Sequence, residues 1–125
     1  MKVRIRGNSL RFRLTRTEVK TWASTGQLSE SIALAADAQA TLTYGLALSP
    51  ETSWNVRFHE GRLEVSVPEA AVRPWAQTDQ VALEHSFSWG LRVAVEKDFH
   101  CLENRPGEDD LDAFDHPRAA GKRHN

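Results

Sequence analysis

The chain has 125 residues, 40% of them apolar, with five prolines, a single cysteine and 16 basic against 17 acidic residues. That length suits one globular domain able to bury a core without staples, and one cysteine excludes an internal disulfide. No apolar run nears the ~20 residues of a membrane-spanning helix, and no signal pattern opens the chain, so a cytoplasmic location is expected.

Lys2 to Arg6 alternates strictly, with Val3 and Ile5 on one side, and Ser9 to Leu14 alternates likewise with Leu10, Phe12 and Leu14. Period two predicts two half-buried strands, and Gly7-Asn8 between them suits a two-residue hairpin turn. The turn fixes the register: Arg6 faces Ser9, Ile5 faces Leu10, Arg4 faces Arg11, Val3 faces Phe12 and Lys2 faces Arg13. Thr15 and Glu18 form a capping box for a helix running to about Ser24, with Gly26 as its left-handed terminator. Val19 and Trp22 give that helix a narrow apolar stripe. Leu28 to Leu34 and Leu42 to Leu48 alternate again, on either side of a turn at 36–39 that could instead belong to a short helix over 33–40.

Ser49-Pro50-Glu51-Thr52 reads as a joint, after which the pattern returns. A second hairpin turning at Glu60-Gly61 pairs Phe58 with Leu63, Arg57 with Glu64 and Val56 with Val65. Pro68, tolerated at a helix start, leads into a helix bearing Val72 and Trp75 that Pro74 shortens or kinks. Val81 to Phe87 and Leu91 to Val95 supply the last two strands around Ser88-Trp89-Gly90. Sliding the sequence by 53 positions without a gap gives eight identities in 26 pairs over residues 2–27, among them Leu10 on Leu63, Val19 on Val72 and Trp22 on Trp75. This self-similarity is the mark of internal duplication. The expected fold is mainly β: a closed eight-stranded barrel of two strand-strand-helix-strand-strand repeats (about 2–48 and 55–101) with pseudo-two-fold symmetry, which leaves no sheet edge exposed. The barrel domain would span 1–101, and 102–125 would form an acidic, partly ordered tail with Leu111 and Phe114 as anchors.

The repeats differ in charge. Residues 2–48 hold seven Lys or Arg against three acids, whereas residues 54–101 hold five against seven. The hairpin register puts Lys2, Arg4, Arg6, Arg11 and Arg13 together on one face. Like charges directly opposite cost a few tenths to about 1 kcal/mol per pair, so Arg4 against Arg11 and Lys2 against Arg13 call for an anion. Nucleic acid, a phosphorylated ligand and the chain's own segment from Glu108 to Asp115 are candidates, beside arginines that merely splay into water. The second copy has Arg57 with Glu64 at the equivalent pair, already compensated.

The words Gly7-Asn8-Ser9-Leu10, the alternating strand and the capped helix near Thr15 resemble the start of the AbrB/MazE-like swapped-hairpin transcription factors. That resemblance covers about 20 residues. It implies DNA binding by basic residues of the hairpin, here Arg4, Arg6, Arg11 and Arg13; the second copy departs there with Arg57, His59, Glu64 and Ser66. The whole chain, including Glu96-Lys97-Asp98-Phe99 and the acidic tail, also looks like an uncharacterised bacterial family.

Other chemistry is thinner. His85, placed on Ile32 by the repeat, reads as a hydrogen-bonded core histidine. Asp98, His100, Cys101, Asp110, Asp112 and His116 match no zinc spacing. No catalytic residue, metal or cofactor is assigned. The expected function is a non-enzymatic module binding nucleic acid or another polyanion through Lys2, Arg4, Arg6, Arg11 and Arg13. The alternatives are a barrel that binds or hydrolyses a small phosphorylated ligand through an inward charged face, and a module that binds a protein through the acidic tail.

Overall fold

In the computed structural model, the described residues are 1–99 and Phe114. The strands and helices run in order β1 (Lys2–Arg6), β2 (Ser9–Leu14), α1 (Arg16–Thr25), β3 (Gln27–Ala33), β4 (Thr41–Ser49), β5 (Asn55–His59), β6 (Arg62–Pro68), α2 (Glu69–Gln77), β7 (Ala82–Ser86) and β8 (Arg92–Lys97). A 3-10 turn over Ala38–Ala40, capped by Asp37 accepting from the Gln39 amide, occupies the ambiguous alanine-rich stretch. Both hairpins adopt the register that their turns dictate, with Arg4 opposite Arg11 and Arg57 opposite Glu64. Gly7 (φ 54°) opens the first turn, and Glu60 (φ 50°) and Gly61 (φ 72°) make the second.

The capping box forms as the sequence predicts. The Glu18 amide donates to Thr15 Oγ1 at 3.3 Å and the Thr15 amide donates to Glu18 Oε1 at 2.9 Å, satisfying free donors at the start of α1. Gly26 (φ 86°) ends this helix, its amide donating to the Trp22 carbonyl. Helix α2 has Pro68 as N-cap without a side-chain hydrogen bond, and it continues through Pro74 to Gln77.

The eight strands form two four-stranded sheets, ordered β1-β2-β8-β7 and β3-β4-β6-β5. The first, built from the two ends of the described chain, is termed the terminal sheet; the second is the central sheet. Each joins one strand pair from either sequence repeat through a parallel contact, Leu10 beside Val93 in the terminal sheet and Leu63 beside Tyr44 in the central sheet. This corrects the expected closed barrel. The parallel contacts complete four strands apiece and leave β1, β7, β3 and β5 as edges, and β1 carries Lys2, Arg4 and Arg6, the type of charged edge that resists further strand pairing.

The chain falls into two compact units, Met1–Val19 with the chain from Asp79 onward, and Lys20–Thr78. In the first, Phe12, Leu14 and Val95 are fully buried, with Leu10, Leu83 and Val93 close to it. In the second, Trp22 and Trp75 are both fully buried and meet edge to face at 5.9 Å, beside the buried Leu46, Val65, Val67 and Val72. The apolar face is therefore the inner one in each sheet.

Register also moves one residue from its expected place. Val93 and Tyr44 occupy matching positions beside Leu10 and Leu63; Val93 pairs with His85, and Tyr44 pairs with Glu30. His85 thus corresponds to Glu30 rather than Ile32, because three residues (79–81) lead from the helix position of Thr78 into β7 where Gly26 alone leads from Thr25 into β3, and the ungapped shift fails beyond the helices.

Of the expected tail, 102–125, only Phe114 lies within the described residues. It forms a parallel bridge with Phe99, its amide donating to the Asp98 carbonyl. Its ring meets Phe99 edge to face at 6.2 Å, with Arg16 and Lys97 at 5.4 and 5.3 Å from its centroid. The acidic segment from Glu108 to Asp112, with its protein-binding reading, lies outside the described residues, as do His100 and Cys101.

Candidate functional site

Alternation sends Leu10, Phe12 and Leu14 inward, so Lys2, Arg4, Arg6, Arg11 and Arg13 must share the outer face of the terminal sheet. Lys2, Arg4, Arg6 and Arg13 are exposed and Arg11 is half-buried. The structure brings all five sequence-predicted residues together. An inward-facing arginine tunnel is incompatible with the burial of the opposite face.

The parallel neighbour extends the site. Ser9, Arg11 and Arg13 on β2 lie beside Arg92, Ala94 and Glu96 on β8, and these pair in turn with Ser86, Glu84 and Ala82 on β7. Three rows cross the sheet: Arg6, Ser9, Arg92, Ser86; then Arg4, Arg11, Ala94, Glu84; then Lys2, Arg13, Glu96, Ala82. Rows are two residues apart along the strands, or about 6.7 Å.

Charge compensation is confined to one end. Glu96 lies 3.6 Å from Arg11 Nε and 3.5 Å from Arg13 Nε, and Asp98 lies 3.1 Å from Lys2 Nζ. Exposed pairs of this kind contribute ~0–1 kcal/mol and leave the face cationic. Among the described residues, Arg4, Arg6 and Arg92 form no ion pair. They mark the end of the face nearest the Gly7-Asn8 turn. Two open depressions lie on this surface: one of about 320 Å³ floored by Ser9, Ala94 and Ser86 and flanked by Arg11, Arg92 and Glu84, and one of about 200 Å³ among Lys2, Arg4, Arg11 and Arg13.

The matching face of the central sheet has different chemistry. Arg62 and Glu64 approach to 3.8 Å and His59 and Glu60 to 3.3 Å, around a depression of about 390 Å³ that Arg57 and Gln27 also line. Opposite charges alternate there.

Sequence reasoning missed Arg92, Glu96 and Glu84. Their outward parity was readable from the alternation of Val93 and Val95, but the parallel contact that sets β8 beside β2 joins residues 83 apart, as at Leu10 and Val93, and leaves no local signature. Among the described residues no cluster of three His, Cys, Asp or Glu side chains could hold a metal ion, and no helix is long and apolar enough to cross a membrane.

A mainly β chain of two four-stranded sheets, one bearing a broad cationic outer face, is the class of protein that these features define. The chain belongs to DUF7009, a family of unknown function, whose family model matches residues 1–118. No curated protein and no solved structure matches it.

Proposed function

We propose that this chain is a non-enzymatic nucleic-acid-binding module, active in the bacterial cytoplasm, that holds phosphates on the outer face of the terminal sheet. The observation that carries the reading is the gathering of Lys2, Arg4, Arg6, Arg11, Arg13 and Arg92 on that face, against Glu84, Glu96 and Asp98 among the described residues. A sheet that keeps Arg4 opposite Arg11 tolerates a repulsion that an anionic ligand would relieve. Guanidinium groups suit phosphate because their donors form a rigid planar fork. In this reading the two repeats descend from one duplicated unit, and the first hairpin is akin to the DNA-contacting hairpin of AbrB/MazE-like proteins; divergence has left the anion face on one sheet alone.

The test is binding to mixed-sequence DNA measured by fluorescence anisotropy, with the Arg4→Glu/Arg11→Glu double variant as comparison. Binding by the wild-type protein and its loss in a variant of unchanged circular dichroism is the expected outcome. Equal affinity of the two proteins contradicts the proposal.

A second reading draws on the depression over Ser9, Ala94 and Ser86. Its small floor between Arg11 and Arg92 has room for a single phosphorylated metabolite. That reading predicts thermal stabilisation by a nucleotide or sugar phosphate in the absence of nucleic acid.

A further inference from the structure

Trp89 is 64% exposed, in the turn that joins β7 to β8. Its ring is nonetheless held in place. It stacks on Phe87 with centroids 4.6 Å apart and planes inclined by 23°, and His85 braces Phe87 edge-on at 4.6 Å and 79°. Phe87 itself is buried, and its backbone closes the turn, its amide donating to the Leu91 carbonyl and its carbonyl accepting from Gly90. Gly90 takes φ 98°, a conformation that a side chain would strain. One face of the indole is thus packed and the other is presented to solvent on a rigid mount.

Phe87 and His85 project from the inner side of the sheet, and the turn that carries Trp89 adjoins the unpaired end of the cationic face. The Arg92 amide donates to the Asn8 carbonyl at 3.0 Å, which ties the turn region to the first hairpin. Trp89 is three residues from both Ser86 and Arg92, so its Cα lies within about 10 Å of theirs. Arg92 and Arg6 stand in the row nearest this turn.

A flat, immobilised and exposed aromatic at the rim of a cationic face is the arrangement that holds single-stranded nucleic acid: cations track the backbone while a base stacks on the ring. In a duplex the base faces are already covered by their neighbours, and the indole has nothing to receive. We infer that the nucleic acid bound is single-stranded, with phosphates along Arg4, Arg6 and Arg92 and an unpaired base stacked on Trp89. The inference rests on the proposed nucleic-acid reading and adds the strandedness of the ligand and the residue that selects it.

The experiment compares the full chain, Trp89→Ala, Trp89→Phe and Arg4→Glu for binding to a mixed-sequence oligonucleotide of about 16 nucleotides, the upper site size of a small single-strand-binding fold, and to its duplex. DNA and RNA versions of the single strand separate the two sources of an unpaired base. The wild-type protein should prefer the single strand, with its tryptophan emission quenched on binding. Trp89→Ala should weaken single-strand binding about 10- to 100-fold, leave duplex binding unchanged and lose most of the quenching; Trp89→Phe should restore much of the affinity. Arg4→Glu should weaken both forms. Equal or tighter binding of the duplex, or an unchanged Trp89→Ala, overturns this inference while the cationic-face reading stands. Failure of every nucleic acid to bind overturns both.

Discussion

Arg4 against Arg11 is where the proposed binding would be set against stability. The pair could be compensated by one substitution, as Glu64 does opposite Arg57 in the second hairpin. Arg4→Glu should therefore raise thermal stability by roughly 0.2–1 kcal/mol while weakening nucleic-acid binding, and parallel melting and anisotropy measurements would show whether the two move in opposite directions. Lys97 poses a different residue-scale problem. It is 4% exposed on the inner side of the terminal sheet under the Phe114 ring, and burial holds its amine below the ordinary value of 10.5, with Asp79 opposing the shift. Between the folded and unfolded values the unfolded chain binds more protons, so stability rises with pH there. Below the folded value the penalty of charging the buried amine is present in full. Lys97→Met should thus melt above the wild-type protein at neutral pH, and its advantage should shrink as pH climbs toward 10.5. Residue placement in the hairpins was legible from sequence, because a two-residue turn fixes the register. The place of Arg92 in the cationic face was not, since it depends on β8 lying beside β2, whereas the inward parity of Lys97 was readable from the alternation of Val93 and Val95.

Elements carry the next level. Helix α1 has a reciprocal capping box, whereas α2 starts at a proline with no side-chain cap. Thr15→Ala should cost roughly 0.5–2 kcal/mol in denaturant melts. The packed middle of the central sheet is marked by Gly45, where an added Cβ would lie 2.5 Å from the Leu28 carbonyl oxygen and 2.9 Å from Ser29 Cβ. Ala94 occupies the matching place beside Arg11 in the terminal sheet and has room for its methyl group. Gly45→Ala must push two paired strands apart and should cost about 1–3 kcal/mol, read in the same melts. All eight strands and both helices were legible as elements, because alternation, the capping box and the turn residues are local signals. Equivalence between repeats was legible through the hairpins and helices and failed in the following strands, because the connection into β7 is two residues longer than the connection into β3.

At the scale of the whole molecule, the sequence-based expectation of a barrel failed for a physical reason. Alternation says that strands exist and which face is apolar, but not which strands become neighbours. The parallel contacts between β2 and β8, and between β4 and β6, decide that, and they make two open sheets edged by β1, β7, β3 and β5. The terminal sheet depends on a contact between the two ends of the described chain, and an isolated two-stranded hairpin is marginal at best. A chain ending after Val81 should therefore lose amide protection at Leu10 to Leu14 in hydrogen exchange. Retained protection there would show that the first hairpin stands without β8. The same joining of distant strands assembles the cationic face, since β2 brings Arg11 and Arg13 and β8 brings Arg92.

Phosphate binding by this face, as proposed, has a sharp signature in the salt dependence of nucleic-acid binding. Each phosphate neutralised contributes about 0.9 to the logarithmic slope on duplex DNA and about 0.7 on a single strand. The wild-type protein should show a steep negative slope, and the Arg4→Glu/Arg92→Glu variant a weaker affinity with a visibly shallower one. An affinity indifferent to salt, or a slope that the two substitutions leave unchanged, would contradict it.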